Sequence, residues 1–414
     1  MINFTEHTLD NGLRVIVHED FTSPMAVLNV LYDVGSRDED EEKTGFAHLF
    51  EHLMFSGSVN IPSYDEPLQK VGGENNAFTS PDITNYYLSL PADNIETGFW
   101  LESDRMLDLA FSEHGLEVQR KVVIEEFKQR YLNQPYGDVW LKLKPEVYKN
   151  HPYKWLTIGK DIKHIEDARM QDVRDFFGTH YKPNNAILVV AGNVTAAKAI
   201  ELAEKWFGPI PAGALKERNL PQEQRQTEPR FVEVEANVPL DAIYKTYHMC
   251  ARRDPNYHTV DLLSDVLGRD KSSRLYDKLV KGKKMFNSIS ASLTGSLDPG
   301  LLVIQGKLNE GVNLEEANLA IEQVIDDLLE NPIDDKELQK VKNLAESSTV
   351  FEEIDVLNRA MNLAWHKLLG DAAGVNLEAA KIQAVTADGI LHQAREVLRK
   401  GNCTTMFYRA RREK

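Results

Sequence analysis

The chain reads as an α+β protein of two homologous domains, each a mostly antiparallel sheet packed with helices. Three observations point there. In the first half, strand and helix signals alternate irregularly, with helices following pairs of strands. A doubly wound parallel sheet would show a stricter rhythm. Residues 208–230, GPIPAGALKERNLPQEQRQTEPR, are rich in Pro, Gly and charge and poor in apolar residues, as a linker is. The pattern after this stretch repeats the pattern before it, at low identity, which marks an internal duplication.

Taken in order, GLRVIVHED and MAVLNVLYDVGS are strands, because β-branched and apolar residues alternate between turn residues. FAHLFEHLMF has helical spacing, and NAFTS and TNYYLSLP are two more short strands. NIETGFWLESDRMLDLAF and GLEVQRKVVIEEFKQRYLN are helical by period. ARMQDVRDFFGTHY, NAILVVAGNV and AAKAIELAEKWFG continue as helix, strand and helix. Beyond the linker, FVEVEANVPLDAIYKTYHMCAR gives two strands, and YHTVDLLSDVLG and SRLYDKLV give helices. VTADGILHQAREVLRKGNCTTMFYRA then echoes the helix, turn and strand that close the first half. The expected division is 1–212, a linker at 213–229, and 230–414.

Composition narrows the function classes. The 414 residues are too many for one ordinary core. The chain is 42% hydrophobic and 27% charged, the balance of a globular protein, and no apolar run approaches the ~18 residues of a membrane span. The formal charge of −16 disfavours nucleic acid and acidic membranes and reads as solubility, with a preference for basic peptides as the alternative. The short basic runs KGKK at 281–284 and RARREK at the C-terminus read as solvated surface. Cys250 and Cys403 are the only cysteines, which fits a reducing compartment. The first twenty residues read as a strand of a folded domain rather than a signal peptide, so a cytoplasmic location is expected.

The chemistry is concentrated at residues 45–58, GFAHLFEHLMFSGS, which hold His48, Glu51 and His52 in the spacing H-x-x-E-H. Residues i and i+4 share a helix face with Cβ atoms about 5–6 Å apart, so His48 and His52 can bind one ion. Glu51 borders that face and suits a base acting on water activated by a metal. The motif is the inverse of the H-E-x-x-H zinc-peptidase signature. The competing reading is an ordinary apolar helix built on Leu49, Phe50, Leu53, Met54 and Phe55.

A catalytic zinc site wants three protein ligands and an open position. The third is expected from residues 116–130, LEVQRKVVIEEFKQR. Helical stepping groups Leu116, Val122, Val123 and Phe127 on one arc, with Glu126 and Gln119 inside it and Glu125 outside. An inward glutamate among apolar residues needs compensation, and ligation supplies it. Glu126 is therefore the expected ligand and Glu125 the alternative, with a partly buried salt bridge as the competing reading of the inward glutamate. The second half offers only His258 at the matching place.

With these motifs in place, the chain resembles the inverted-zincin metallopeptidases, the family of pitrilysin, insulin-degrading enzyme and mitochondrial processing peptidase. The matching stretches are GSRDEDEEKTGFAHLFEHLMFSGS, GGENNAFTSPDITNYYLSLP, RKVVIEEF, HPYKW and YKPNNAILVVAGNV, with a weaker match at SSRLYDKLVKGKKMFNSISAS. The resemblance implies a small two-domain zinc subunit of bacterial type. Its two domains would form half of a clam-shaped chamber that encloses short or unfolded polypeptides. It implies one Zn2+ per chain on His48, His52 and Glu126, with Glu51 as the base. It implies substrate addition as a strand at Asn76, Ala77 and Phe78, a role that suits sequence-tolerant backbone pairing.

Two departures stand out. Gln119 occupies the place of a second glutamate found in many members. Aligned on the family pattern, Val280 and Asn287 fall where active members place a substrate-holding arginine and tyrosine. The expectation is a dimer, with a sister subunit supplying that pair or with a second copy of the chain. The alternative readings are a non-catalytic core or assembly subunit on the same fold and a hydrolase of some non-peptide amide.

Overall fold

The computed structural model describes residues 1–215 and 217–411. Lys216 of the expected linker and residues 412–414 of the C-terminal basic run lie outside the described residues. Among the described residues, eleven strands form two sheets. The first contains β1 (Thr5–Thr8), β2 (Arg14–Glu19), β3 (Met25–Tyr32), β4 (Glu74–Thr79), β5 (Thr84–Pro91) and β6 (Ala186–Gly192), in the order β1-β2-β6-β3-β5-β4. The second contains β7 (Arg230–Ala236), β8 (Ala242–His248), β9 (Phe286–Leu293), β10 (Leu301–Leu308) and β11 (Cys403–Ala410), in the order β7-β11-β8-β10-β9.

The two orders coincide once β1 is set aside. Strands β2, β6, β3, β5 and β4 correspond in turn to β7, β11, β8, β10 and β9. Each sheet has one parallel pair, β2 with β6 and β7 with β11, and its other pairs are antiparallel. The duplication read from the sequence pattern is thus a duplication of topology.

Sequence explains which strands are central. Every residue of β6, AILVVAG, is buried, and so is all of β3 beyond Met25. A continuous apolar run of this kind suits a strand covered on both faces. In contrast β4, ENNAFT, alternates between exposed and half-buried residues and lies at the edge of its sheet, paired only with β5.

The chain forms two compact units, and neither is a continuous half of the sequence. Unit 1 comprises Met1–Arg130, Trp155–Pro221 and Val350–Leu377, and unit 2 the remainder. The division expected at 213–229 does not capture these two exchanges. In unit 1 the helix Val356–Leu369 packs on β3 and β6 and buries Ala360, Leu363 and Ala364. In unit 2 the helix Val139–Val147 packs on β7 and β11 and forms a core with Tyr244, Leu301 and Met406. The other face of that sheet packs Ile243 and Ile304 with Val260 and Leu263 of helix Tyr257–Gly268 and Ile321 of helix Leu314–Glu330. Periodicity reveals that a helix has an apolar face but not which sheet that face covers. Among the described residues, no helix is long and apolar enough to cross a membrane.

Because Val350–Leu377 covers the first sheet, a fragment ending at Pro221 leaves the apolar surface of β3 and β6 open. The fragment 1–221 is expected to bind a hydrophobic dye and to unfold without the sharp urea transition of the full chain. A sharp transition and no dye binding in the fragment would contradict this packing.

Candidate metal centre

The motif folds as an eight-residue helix, α1 (Phe46–Leu53), in unit 1. Its apolar residues Phe46, Leu49, Phe50 and Leu53 are buried, and Phe50 stacks on Phe176 and Tyr181 with centroids 5.0 and 5.2 Å apart. Both ends of α1 are held. At the amino end Gly45 has φ +90°, and a Cβ there would lie 2.7 Å from the Ile158 carbonyl oxygen, so only glycine fits. Gly45 offers no side-chain cap. The buried Glu39 carboxylate takes that role, with Oε2 accepting from the Gly45 amide at 2.9 Å and Oε1 from the Ala47 amide at 2.8 Å. Helix amides left unpaired in the interior are costly, and a carboxylate at a helix amino end also meets the favourable end of the macrodipole. Burial pushes the Glu39 carboxyl well above its ordinary range, against the pull of these amides.

The carboxyl end is held by aromatic rings and a buried ion pair. The Arg105 guanidinium lies 5.1 Å from the Phe55 ring centroid and 4.5 Å from those of Tyr64 and Tyr86. Arg105 also pairs with Glu102 at 2.6 Å, both fully buried, and the Tyr64 hydroxyl donates to Glu102. Removing one partner of such a pair leaves an uncompensated buried charge.

Glu126 comes from helix Glu113–Phe127, whose residues Leu116, Val123 and Phe127 are buried. Val122 is not part of that arc and is 43% exposed. It sits one step of about 100° from Val123, too far round to share the buried stripe. Glu126 lies at the edge of the stripe with its side chain 16% exposed, and Glu125 points to solvent. Glu126, rather than Glu125, therefore meets the histidines.

His48 Nε2 and His52 Nε2 lie 3.7 and 3.4 Å from Glu126 Oε2. The two imidazole centroids are 4.8 Å apart with planes at 82°. The three donor atoms lie within 4.8 Å of one another, the only such grouping of three among the described residues. Two imidazole nitrogens and one carboxylate oxygen converging at this spacing fit zinc with an open fourth position. Burial pushes the His48 imidazolium down to about 4, although Glu126 nearby opposes this. At neutral pH His48 is uncharged, the state that ligates. The hydrogen bond from His52, with the charge of Arg130, lowers the Glu126 carboxyl from its ordinary value.

Glu51 projects beside the triad rather than into it. Its Oε2 accepts a hydrogen bond from Thr79 Oγ1 at 2.6 Å. Burial raises its carboxyl above the ordinary value, partly offset by Thr79 and His52. A carboxylate with a raised pKa is a stronger base, as proton abstraction from water requires.

Asn76, Ala77 and Phe78 lie on the edge strand β4, with Asn76 and Phe78 exposed. Thr79, at the end of that strand, carries the hydrogen bond to Glu51. Gln119 donates from Nε2 to Ser56 Oγ at 2.9 Å. In unit 2, Val280 packs against the core and Asn287 is exposed on β9, so neither position offers a guanidinium or a phenol. His258 pairs with Arg252 and Glu378 and belongs to no grouping of three metal-ligating groups.

Sequence reasoning missed five supporting residues, Glu39, Glu102, Arg105, Thr79 and Arg130. Glu39 is one of several acids in DEDEE, and nothing in that run distinguishes it from Glu41 or Glu42. Glu102 and Arg105 are an i, i+3 pair on one helix, but the rings that enclose Arg105 come from distant segments. The two legible signals were the period of two that places Thr79 on the side of Ala77, and the i+4 spacing of Arg130 from Glu126.

Residues 14–157 match the family model described as Insulinase (Peptidase family M16), and residues 167–345 match that of the Peptidase M16 inactive domain. The chain is similar to the zinc protease PqqE of Helicobacter pylori (strain ATCC 700392 / 26695), at 28% identity over 408 residues, covering 97% of this chain and 91% of that protein. It is similar to the mitochondrial-processing peptidase subunit beta of Caenorhabditis elegans, at 29% identity over 209 residues, covering 50% of this chain and 45% of that one. The crystal structure of a protease from Helicobacter pylori superposes with a TM-score of 0.92 at 27% identity, covering 99% of this chain and 100% of that one.

Glu39→Ala leaves two amides at the start of α1 without an acceptor. It is expected to lower the stability of the metal-free chain by about 2–4 kcal/mol in urea unfolding, and to weaken zinc uptake as the helix loosens. A Glu39→Ala chain as stable as the parent would exclude this cap.

Proposed function

Because the chain belongs to the M16 peptidase family, we propose that it is a zinc metalloendopeptidase acting on short or unfolded polypeptides. The observation that carries the reading is the convergence of His48, His52 and Glu126 donors within 4.8 Å, with the Glu51 carboxyl close enough to interact with His52 and Glu126. In this reading His48, His52 and Glu126 hold one Zn2+. Zinc supplies Lewis acidity, which makes water a nucleophile at neutral pH and polarises the peptide carbonyl.

The chain's own residues then do the following. Glu51 takes the proton from the attacking water and returns it to the leaving amine. Thr79 holds Glu51 through Oε2. The free edge of β4 at Asn76, Ala77 and Phe78 accepts the substrate as an added strand. Backbone pairing of this kind tolerates many sequences, and only an extended segment can make it, which selects unfolded chains.

We read the chain as the zinc-bearing member of a dimeric enzyme whose domains form half of an enclosing chamber. Val280 and Asn287 support this, because neither can hold a substrate oxygen by charge or by a long-reaching donor. A sister subunit or a second copy supplies those groups. The two free cysteines, Cys250 and Cys403, support a cytoplasmic location.

The isolated chain is expected to bind about one equivalent of zinc and to cleave unfolded peptides slowly. Glu51→Gln is expected to keep the zinc and to reduce hydrolysis by about a thousandfold or more, since it removes the base while leaving the ligands. Metal analysis that finds little zinc after gentle purification would favour a non-catalytic core subunit. Undiminished hydrolysis by the Glu51→Gln chain would exclude the role given to Glu51, and full turnover by the isolated chain would exclude the need for a partner.

A further inference from the structure

Glu126 points its two carboxylate oxygens in different directions. Oε2 faces His48 and His52, and Oε1 lies 3.0 Å from Arg130 Nη1. Arg130 sits four residues after Glu126, on a π-helical stretch, Lys128–Leu132, that follows helix Glu113–Phe127. Widened turns of this type recur at functional sites because they re-aim side chains. The other polar residue on the stripe, Gln119, directs its amide to Ser56 and gives Glu126 no support.

A glutamate on a helix can rotate about its terminal bond and offer a metal one oxygen or both. An ion pair fixed to the outer oxygen removes that freedom. We propose that Arg130 is a positioning residue that acts through Glu126, holding it as a one-oxygen ligand for zinc. This rests on the zinc reading above. The Arg130 side chain is 67% exposed, so its ion pair contributes little to folding and its removal leaves no cavity. Its effect is exerted on the metal. Partners of ligating residues commonly alter metal affinity by about 10–100-fold.

The test uses the isolated full chain, stripped of metal, with Zn2+ titrated against a chromophoric chelator. Arg130→Gln and Arg130→Met are expected to weaken zinc binding about tenfold or more, and Arg130→Lys to recover part of the loss. Melting of the metal-free variants is expected to match the parent. In a Glu126→Gln background, Arg130→Gln is expected to add nothing further. Arg130→Gln binding zinc as tightly as the parent overturns the proposal and leaves the zinc reading intact. An equal loss in the Glu126→Gln background also overturns it, because Arg130 would then act by another route. A parent chain that takes up no zinc overturns the zinc reading and this proposal together.

Discussion

The buried carboxylate of Glu39, bonded to the amides of Gly45 and Ala47, fixes where the short helix α1 begins. Everything at the candidate centre depends on that start, because three of its four principal residues lie on those eight positions. An isolated helix of this length is not stable in water, so tertiary contacts must hold it. Glu39 does so at one end, and the Arg105 cluster of Phe55, Tyr64 and Tyr86 does so at the other. Between them Phe50 locks the apolar face onto Phe176 and Tyr181. His52 and Glu51 are left half-buried on the face toward Glu126, and His48 is buried beside them.

The charges around this helix divide into two kinds. Glu39, bonded to two amides, and the Arg105–Glu102 ion pair are buried, and they hold the framework still. Glu51, Glu126 and Arg130 are partly exposed, and their environments adjust how readily each gives or takes a proton or a metal. Burial pulls His48 toward its neutral form and Glu51 toward a stronger base. Both shifts favour metal hydrolysis chemistry near neutral pH, and both arise because the site sits at the edge of a packed sheet rather than in open water.

The duplication shows what such a site requires beyond a fold. The two sheets share a strand order, yet the helix Tyr257–Gly268 at the start of the second repeat carries no pair of histidines, and β9 in the place of β4 is FNSISASL. The same topology therefore carries the His48, His52 and Glu126 cluster in one unit and no such cluster among the described residues of the other, and the difference lies in a few side chains. The exchange of helices between the halves, with Val139–Val147 in unit 2 and Val356–Leu369 in unit 1, makes each sheet depend on chain from the other half of the sequence.

Much of this was legible in the residues. The spacing of His48, Glu51 and His52 follows from helix geometry alone, and the buried stripe at 116–127 singled out Glu126 over Glu125. NAFTS and NAILVVAGNV read as strands, and the family resemblance implied the edge at Asn76, Ala77 and Phe78. The spacing, the stripe and the strands are local properties, set by the period of a helix or a strand, and the sequence by itself determined them. Only the tertiary structure decided that Val122 lies outside the stripe, that Glu39 rather than Glu41 or Glu42 caps α1, and that Thr79 reaches Glu51. It also decided which sheet each exchanged helix covers. Those outcomes depend on contacts between segments far apart in the chain, and periodicity carries no information about which partner an exposed charge or an apolar face will meet.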